Sequence, residues 1–252
     1  MKKILQTLAV TAFWLAVWAL LALAVDQPLL LPAPGAVVRR LAQLALTAPF
    51  WLAVGATLLR ILCGVAAGTL LGTLLAVITS ASALLRALIH PLLTVIKSTP
   101  VASFIVLVII WVGRNALPSV IVVLMVVPGV WANVSAGIAA TDPALLEMAR
   151  VFRFPKPRIL RRIYLPSVLP SFLAALRSVL GLAWKAGVTA EVLTSPVLSV
   201  GKMLMESKLY LEIPDLFAWT LVVILCSLAI EKLLIAAIAR IGKGFAKGGA
   251  SA

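Results

Sequence analysis

Charged residues are scarce in this chain, and acidic residues are the scarcest. Of its 252 residues 12% are charged, with 8 Asp and Glu against 22 Lys and Arg. The mean hydropathy is +1.16, which means more apolar surface than a water-soluble fold of this length can bury. A water-soluble enzyme or binding domain is therefore excluded. The composition predicts an all-α membrane protein whose helices satisfy the backbone within lipid.

Residues that build catalytic and metal sites are also few. The chain has one histidine and two cysteines, and the cysteines lie far apart inside apolar runs. These counts exclude a metal cluster and a nucleophilic triad, so we predict no catalytic residue and no metal ligand. A phosphate-binding glycine loop is missing as well, because Met203 follows Gly201 and Lys202 where Ser or Thr is needed. We therefore predict that the chain is not an enzyme and does not hydrolyse ATP itself.

What the chain does have is six apolar segments, each long enough to cross a bilayer. The predicted spans are residues 4–25, 50–79, 88–112, 117–140, 163–193 and 214–239. The first segment has a second interpretation as a cleaved signal peptide, since residues 22–24 resemble a cleavage site. Its apolar stretch is longer than such peptides have, so a retained span is favoured.

Lysine and arginine are unequally distributed between the segments that connect these spans. If the N-terminus is cytoplasmic, the inner segments hold more than twice as many as the outer segments, and six of them fall within 150–162. The positive-inside rule then predicts that both termini are cytoplasmic. Contact with anionic lipid is a second explanation for Arg158, Arg161 and Arg162. Because the charges lie between spans, no nucleic-acid partner is predicted.

A helix-start signal precedes the basic run. Asp142 can cap a helix and the proline after it suits the first helical position, so the sequence predicts a short helix over 143–152. Leu145, Ala149 and Phe152 share one face of that helix. An apolar face at the cytoplasmic end of a membrane protein can pack on the ends of the spans or in a groove of a partner.

The residues that follow complete a known pattern. Permeases of ATP-binding-cassette importers carry a loop of the form Glu-Ala-Ala, three residues, Gly, nine residues, Ile-x-Leu-Pro. This chain resembles it in spacing throughout, from Glu147 to Pro166. Met148 replaces the first Ala of this EAA motif, and Arg153 replaces the Gly that usually allows a sharp turn after the helix. Pro155 is the alternative source of that break.

This resemblance extends over about 50–240 and implies a type I importer permease fold with six transmembrane helices. It implies one permease domain over 1–252, with an N-terminal span and external loop at 1–49 and a cytoplasmic tail at 241–252. The helix at 143–152 would be the coupling helix. The residues expected to contact the ATPase are Asp142, Leu145, Glu147, Met148, Ala149, Phe152 and Arg153.

The resemblance also implies the partners and the setting. Two stretches, 57–80 and 183–193, are similar to the branch that imports sulfonates, taurine, nitrate and pyrimidine precursors. The expected partners are a cytoplasmic ATPase dimer, an extracytoplasmic solute-binding protein and a second permease copy, most simply in a homodimer. The chain would hold no cofactor, because ATP and Mg²⁺ bind the ATPase. The expected location is the bacterial inner membrane.

Ionisable residues inside the spans are costly and need a reason. Arg177, Trp184 and Glu191 recur every seven residues, as do His90, Lys97, Phe104 and Trp111 in the third span. Such stripes are typical of helices that line a water-filled path, and equally of subunit packing or internal ion pairs. The candidate path residues are Arg60, Lys97, Arg177, Trp184, Lys185 and Glu191.

Three possibilities remain for the transported solute and its driving force. The excess of cations in the spans favours a small anion such as a sulfonate, taurine or nitrate. A neutral solute of the pyrimidine or thiamine-precursor kind is the alternative within the same class. An ion-coupled secondary transporter is the alternative class, although the chain shows no clear internal repeat.

Two smaller features also carry predictions. Gly64, Gly68 and Gly72 recur every four residues, which is typical of close helix packing in membranes. Ser199 can cap a helix in the outer loop that runs to about Leu209. That helix can dock the binding protein or lie at the membrane interface.

Overall fold

A computed structural model describes the backbone of residues 2–249 and the side chains of residues 5–233, 235 and 236. All regular structure within these residues is helical, which confirms the all-α prediction. The helices are α1 (Lys2–Val25), α2 (Pro34–Ala45), α3 (Ala48–Ala81), α4 (Ala83–Ser98), α5 (Val101–Val108), α6 (Leu117–Ala139), α7 (Pro143–Val151), α8 (Lys156–Ile159), α9 (Leu165–Thr194), α10 (Val200–Leu209) and α11 (Ile213–Gly249). A π-helical turn, Leu160–Tyr164, joins α8 to α9.

Among the described residues, five helical stretches are long and apolar enough to cross a membrane, and α4 with α5 makes a sixth if the bent pair is one span. The five lie in α1, α3, α6, α8 with α9, and α11. This count agrees with the six predicted spans. The last helix differs in length, because α11 continues beyond residue 239 to Gly249.

Part of the charge pattern used to predict the topology cannot be compared with the structure. The side chains of Lys2, Lys3, Arg240, Lys243 and Lys247 lie outside the described ones. Residues 250–252 of the predicted tail lie outside the described residues altogether.

The predicted third span over 88–112 is bent in the structure. α4 ends before Thr99, α5 begins after Pro100, and the two helices meet at 105°. Thr99 has an extended backbone, with φ −82° and ψ 131°, as residues before proline prefer. Because Pro100 has no N–H to donate, the helical ladder ends there and starts again in a new direction.

The bend also overturns the stripe predicted for the third span. His90 and Lys97 lie on α4, Phe104 lies on α5, and Trp111 lies beyond the end of α5. The seven-residue spacing therefore does not place these side chains along one helical face. His90 instead contacts the edge of Trp131 of α6, with ring centroids 5.8 Å apart.

The chain divides into two compact units. The first comprises Met1–Leu58 and Glu191–Cys226. Its core is built from α3, α10 and α11, and the ring of Phe50 stacks on Trp219 with centroids 5.1 Å apart. α2 is held to the first turn of α11 by Arg40 and Asp215. The guanidinium donates to both carboxylate oxygens, with Nη2 to Oδ2 at 2.8 Å, and this hydrogen bonding raises the pKa of Arg40.

The second unit comprises Leu59–Ala190 and Ser227–Ala252. In it the glycine stripe of α3 packs against a valine row of α6, as the spacing predicts. A Cβ on Gly64, Gly68 or Gly72 would lie within 2.9 Å of the Cβ of Val122, Val126 or Val130, respectively. Real Cβ atoms do not approach this closely, so the contact depends on glycine at each place.

Candidate functional site

The helix predicted to contact an ATPase is present as α7, and its start is capped as expected. Asp142 Oδ1 accepts a hydrogen bond from the backbone N–H of Ala144 at 2.8 Å, and Pro143 occupies the first turn. An N-cap carboxylate and an N-terminal proline are both favourable at this end of a helix. α7 ends at Val151, one residue before the predicted end.

The end of α7 has the turn that glycine normally provides, made here with arginine. Arg153 adopts the left-handed conformation with φ 48°. Its N–H donates to the carbonyl of Arg150 at 3.1 Å, and the N–H of Phe154 donates to the carbonyl of Ala149 at 2.8 Å. These are the two bonds of a Schellman motif. The arginine in the glycine position of the family pattern therefore preserves the turn.

The prolines after this turn begin the next helix. Pro155, the alternative source of the break after the short helix, does not supply it. α7 has already ended before Pro155, which is the N-cap of α8. Pro157 lies in the first turn of α8, where a proline suits a helix start.

The surface of α7 is largely uncovered. Ala149 is fully buried, but Leu145 and Phe152, which were predicted to share its face, are 41% and 68% exposed. Met148 is also exposed, and so is the carboxylate residue Glu147. α7 thus presents apolar side chains beside an acid at the end of the spans.

A basic pocket lies between α7 and the π-helical turn. Its volume is about 890 Å³, and Arg150, Arg153 and Lys156 line it together with Tyr164. Among the described side chains none of these three cations forms a salt bridge. Arg158 instead lies over the ring of Phe154, 5.3 Å from its centroid. The loop is therefore strongly positive next to the exposed face of α7.

Of the candidate path residues, Glu191 is buried and hydrogen-bonded to neighbouring helices. Its side chain is 0% exposed, and its Oε2 accepts from the hydroxyl of Thr57 at 2.8 Å and from the N–H of Gly201 at 3.3 Å. The N–H of Val200 donates to the same Thr57 hydroxyl at 3.0 Å. A Cβ on Gly201 would lie 2.4 Å from Glu191 Cβ. The carboxylate thus joins α9 to α3 and to the start of α10.

Ser199 caps α10 as predicted. Its hydroxyl accepts from the N–H of Lys202 at 3.0 Å, and the helix runs from Val200 to Leu209. Lys202 also forms a partly exposed ion pair with Glu206 one turn further on. The start of α10 is therefore fixed both by its own cap and by the contacts of Glu191.

The structure brings two other candidate path residues together. Arg177 and Trp184 of α9 line one cavity of about 300 Å³ with Glu231 of α11. Arg177 is exposed, whereas Trp184 is only 5% exposed and its indole N–H has no acceptor among the described atoms. The predicted stripe along α9 is thus one helix face, but its members have different environments.

The remaining three candidates are dispersed. Lys97 is exposed in the last turn of α4, where a cation is favourable beside the free carbonyls. Lys185 is exposed on α9, and Arg60 is half-buried on α3. The structure joins none of these three to the cavity of Arg177.

Two residues in these arrangements were not predicted from the sequence. Thr57 is an ordinary member of an apolar run, and no sequence pattern distinguishes it from the other threonines of α3. Glu231 stands beside Lys232 near the end of the last span, where charged residues commonly extend to the membrane interface. An acid within a segment that is otherwise apolar is the signal that could have identified Glu231.

Comparison with known proteins gives a consistent result. The family described as "Binding-protein-dependent transport system inner membrane component" matches residues 68–247. The taurine transport system permease protein TauC of Escherichia coli is 24% identical over 184 residues, which cover 71% of this chain and 67% of that protein. The formylaminopyrimidine transport permease protein ThiX of Halalkalibacterium halodurans is 29% identical over 187 residues, with 73% and 74% covered.

A solved structure shares the fold. The inward-facing MetNI methionine ABC transporter superposes with a TM-score of 0.64 at 17% sequence identity. The superposition covers 79% of this chain and 99% of the matched chain.

Proposed function

Because the chain belongs to the family of binding-protein-dependent transport system inner membrane components, we propose that it is the permease subunit of an ATP-driven importer that is coupled to its ATPase through α7. The observation that carries this proposal is the uncovered surface of α7. A helix capped at both ends, with Leu145 and Phe152 exposed beside Glu147, fits a groove on a partner better than it fits water.

The assembly follows from the same premise. An importer of this family needs an ATPase dimer on the cytoplasmic side and a solute-binding protein on the other. We propose two copies of this chain as the pore, with both termini in the cytoplasm, because the basic segment 150–162 then lies inside. ATP and Mg²⁺ would bind the ATPase, and this chain would hold no cofactor.

The solute is proposed to be a small organic or inorganic molecule with an acid group. The names of the relatives support this class, since taurine carries a sulfonate. The cationic side chains of the spans, such as Arg60, Lys97 and Lys185, support it as well. A pyrimidine-type solute remains the second candidate, because ThiX is named for one.

Transport is proposed to occur by alternating access. Closure of the ATPase dimer on ATP would pull the α7 helices of two permease copies together. The bundle would then change from inward-open to outward-open, and ATP hydrolysis would reset it. In this mechanism α7 carries force and takes no part in the chemistry.

The test is charge reversal on α7 in the assembled importer. The Glu147→Arg variant is co-purified with its ATPase, reconstituted in vesicles and supplied with binding protein and solute. We expect normal membrane insertion, with either loss of the ATPase from the complex or ATP hydrolysis that no longer drives uptake. The readouts are the ATPase content of the complex and uptake per ATP.

The matched control is Glu212→Arg, the same reversal at an exposed acid that lies outside α7. It should leave both readouts unchanged. Normal coupled transport in Glu147→Arg would contradict the assignment of α7. Uptake that persists without any ATPase would instead support an ion-coupled transporter.

A further inference from the structure

Arg177 and Glu231 are unusual among the charges of the apolar helices because they line one cavity without contacting each other. The cavity lies in the unit formed by Leu59–Ala190 and Ser227–Ala252, where α9 faces α11. Among the described side chains, neither residue forms a salt bridge. A charge in the middle of a span is costly, and Arg177 lies well inside the span Lys156–Thr194. Glu231 lies near the end of the span Ile213–Leu233 and lines the same cavity. The cavity therefore has two charges of opposite sign that do not pair with each other, and one ligand can explain both.

A third polar group at the same cavity also lacks a partner. Trp184 is 5% exposed, and its Nε1–H is buried with no acceptor among the described atoms. Buried indole N–H groups normally find an acceptor. The lining thus offers a cation and a neutral donor from α9, and an anion from α11.

The polar groups face each other across the two helices in a regular way. Arg177 and Trp184 are seven apart on α9 and share a face, and Ser178 lines the cavity beside Arg177. Ser227 and Glu231 are four apart on α11 and also share a face. The volume of about 300 Å³ is at the lower end of ligand pockets, which indicates a small molecule or a head group.

We propose that this cavity binds a small zwitterion. Its acid group would accept hydrogen bonds from the Arg177 guanidinium and the Trp184 indole N–H, and its ammonium group would donate to the Glu231 carboxylate. A simple anion would pair with Arg177 but would be repelled by Glu231. A simple cation would pair with Glu231 but would be repelled by Arg177. A molecule with both charges satisfies all three groups at once.

Two sources can supply this chemistry. One is the transported solute, in which case the inference rests on the proposed function and narrows its solute class from anions to zwitterions such as aminosulfonates. The other is the head group of phosphatidylethanolamine, which joins a phosphate to an ammonium. The lipid source does not require that the chain is a permease.

The experiment measures binding to the full-length chain in nanodiscs of phosphatidylglycerol, a lipid without an ammonium group. The probe is radiolabelled taurine, displaced by unlabelled taurine, phosphoethanolamine or ethanesulfonate, which has the acid without the ammonium. Phosphatidylethanolamine is added to a second set of discs. We expect saturable binding of taurine and about tenfold weaker displacement by ethanesulfonate.

Three variants assign the roles. Glu231→Gln should remove the preference for taurine over ethanesulfonate, because the group that recognises the ammonium is gone. Arg177→Gln should weaken both by about tenfold or more, and Trp184→Phe should weaken both to a smaller extent. The control is Lys232→Gln, which changes the charge beside Glu231 at a residue that does not line the cavity. It should bind like the wild type.

The outcomes separate the two sources from failure. If phosphatidylethanolamine in the discs displaces taurine, the lipid head group is the occupant in the cell membrane. If it does not, the solute is. If neither taurine nor phosphoethanolamine binds saturably, and the purified chain retains no phosphatidylethanolamine that Glu231→Gln releases, the inference is wrong. It is also wrong if Glu231→Gln leaves the preference intact.

The zwitterion site and the proposed function can each be wrong without the other. ATP-dependent uptake in the complete importer, with wild-type selectivity in Glu231→Gln, would overturn the zwitterion site and keep the importer. Zwitterion binding without ATP-dependent uptake would overturn the importer and keep the site.

Discussion

Arg153 ends α7 in a conformation that costs a side-chain-bearing residue about 1–2 kcal/mol relative to the right-handed form. Glycine adopts it without that cost. The chain nevertheless has arginine there, and that side chain lines the basic pocket beside Arg150 and Lys156. The strained turn therefore places a cation at the C-terminal end of the helix.

The first prediction concerns this turn. Arg153→Gly should raise the free energy of opening of the amides at the end of α7 by up to about 1 kcal/mol. The reason is that the Schellman hydrogen bonds to Ala149 and Arg150 no longer require a strained residue. Hydrogen exchange of the chain in nanodiscs measures it. Arg153→Val, which is β-branched, should lower the same protection. Faster exchange in the glycine variant would contradict this account of the turn.

The second prediction concerns the contacts of Glu191. Thr57→Val keeps the shape of the side chain but removes the donor to Glu191 Oε2 and the acceptor for the Val200 N–H. We expect a loss of about 1–3 kcal/mol in the stability of the fold, because these groups are buried. Thermal unfolding in detergent measures it. Thr57→Ser should be close to the wild type, and so should Thr189→Val at an exposed threonine.

At the scale of elements, the glycine stripe of α3 sets the distance between α3 and α6. Gly68→Ala places a Cβ 2.8 Å from Val126 Cβ, so the two backbones must separate. We expect about 1–3 kcal/mol of destabilisation, which is typical of overpacking. The unfolding temperature in detergent measures this loss.

The same helix provides the control. Gly55 has open space where its Cβ would lie, so Gly55→Ala should be neutral or slightly stabilising, because alanine is the better helix former. Equal effects of the two substitutions would mean that the stripe does not set the helix spacing.

Much of the element pattern could be predicted, and the exception has a physical cause. Apolar length predicts α1, α3 and α6, and the cap residues predict α7 and α10. The bend at Pro100 could not be predicted, because Pro91 and Pro128 lie inside unbroken helices. The apolar run also continues across the bend. A proline can kink a membrane helix or end it. The outcome depends on which neighbouring groups donate hydrogen bonds to the backbone carbonyls that the proline leaves without a partner.

At the scale of the whole molecule, the distribution of charge predicts which segments face the cytoplasm. Cys63 and Cys226 are first replaced by serine. In this background Lys156→Cys should react with a membrane-impermeant thiol reagent only after the cells are permeabilised. Lys208→Cys should react in intact cells, because the charge distribution predicts that its loop lies on the outer side. The extent of labelling measures it. Labelling of Lys156→Cys in intact cells would show that the predicted orientation in the membrane is wrong.

The candidate site could be predicted where the chemistry is local in sequence. The spacing from Glu147 to Pro166 identifies the loop, because a motif of that length lies within α7 to α9. The stripe along α9 identifies a helix face but not its partners. That Glu191 is hydrogen-bonded to Thr57, while Arg177 lies across a cavity from Glu231, depends on contacts between helices far apart in sequence.

The π-helical turn Leu160–Tyr164 lies between α8 and the long helix α9. A π turn holds one residue more than an α turn. If it relaxes to α-helical geometry, the surplus residue passes along the chain, and everything on one side rotates by about 100° about the helix axis. The geometry of this turn therefore sets the rotation of α8 about the axis of α9.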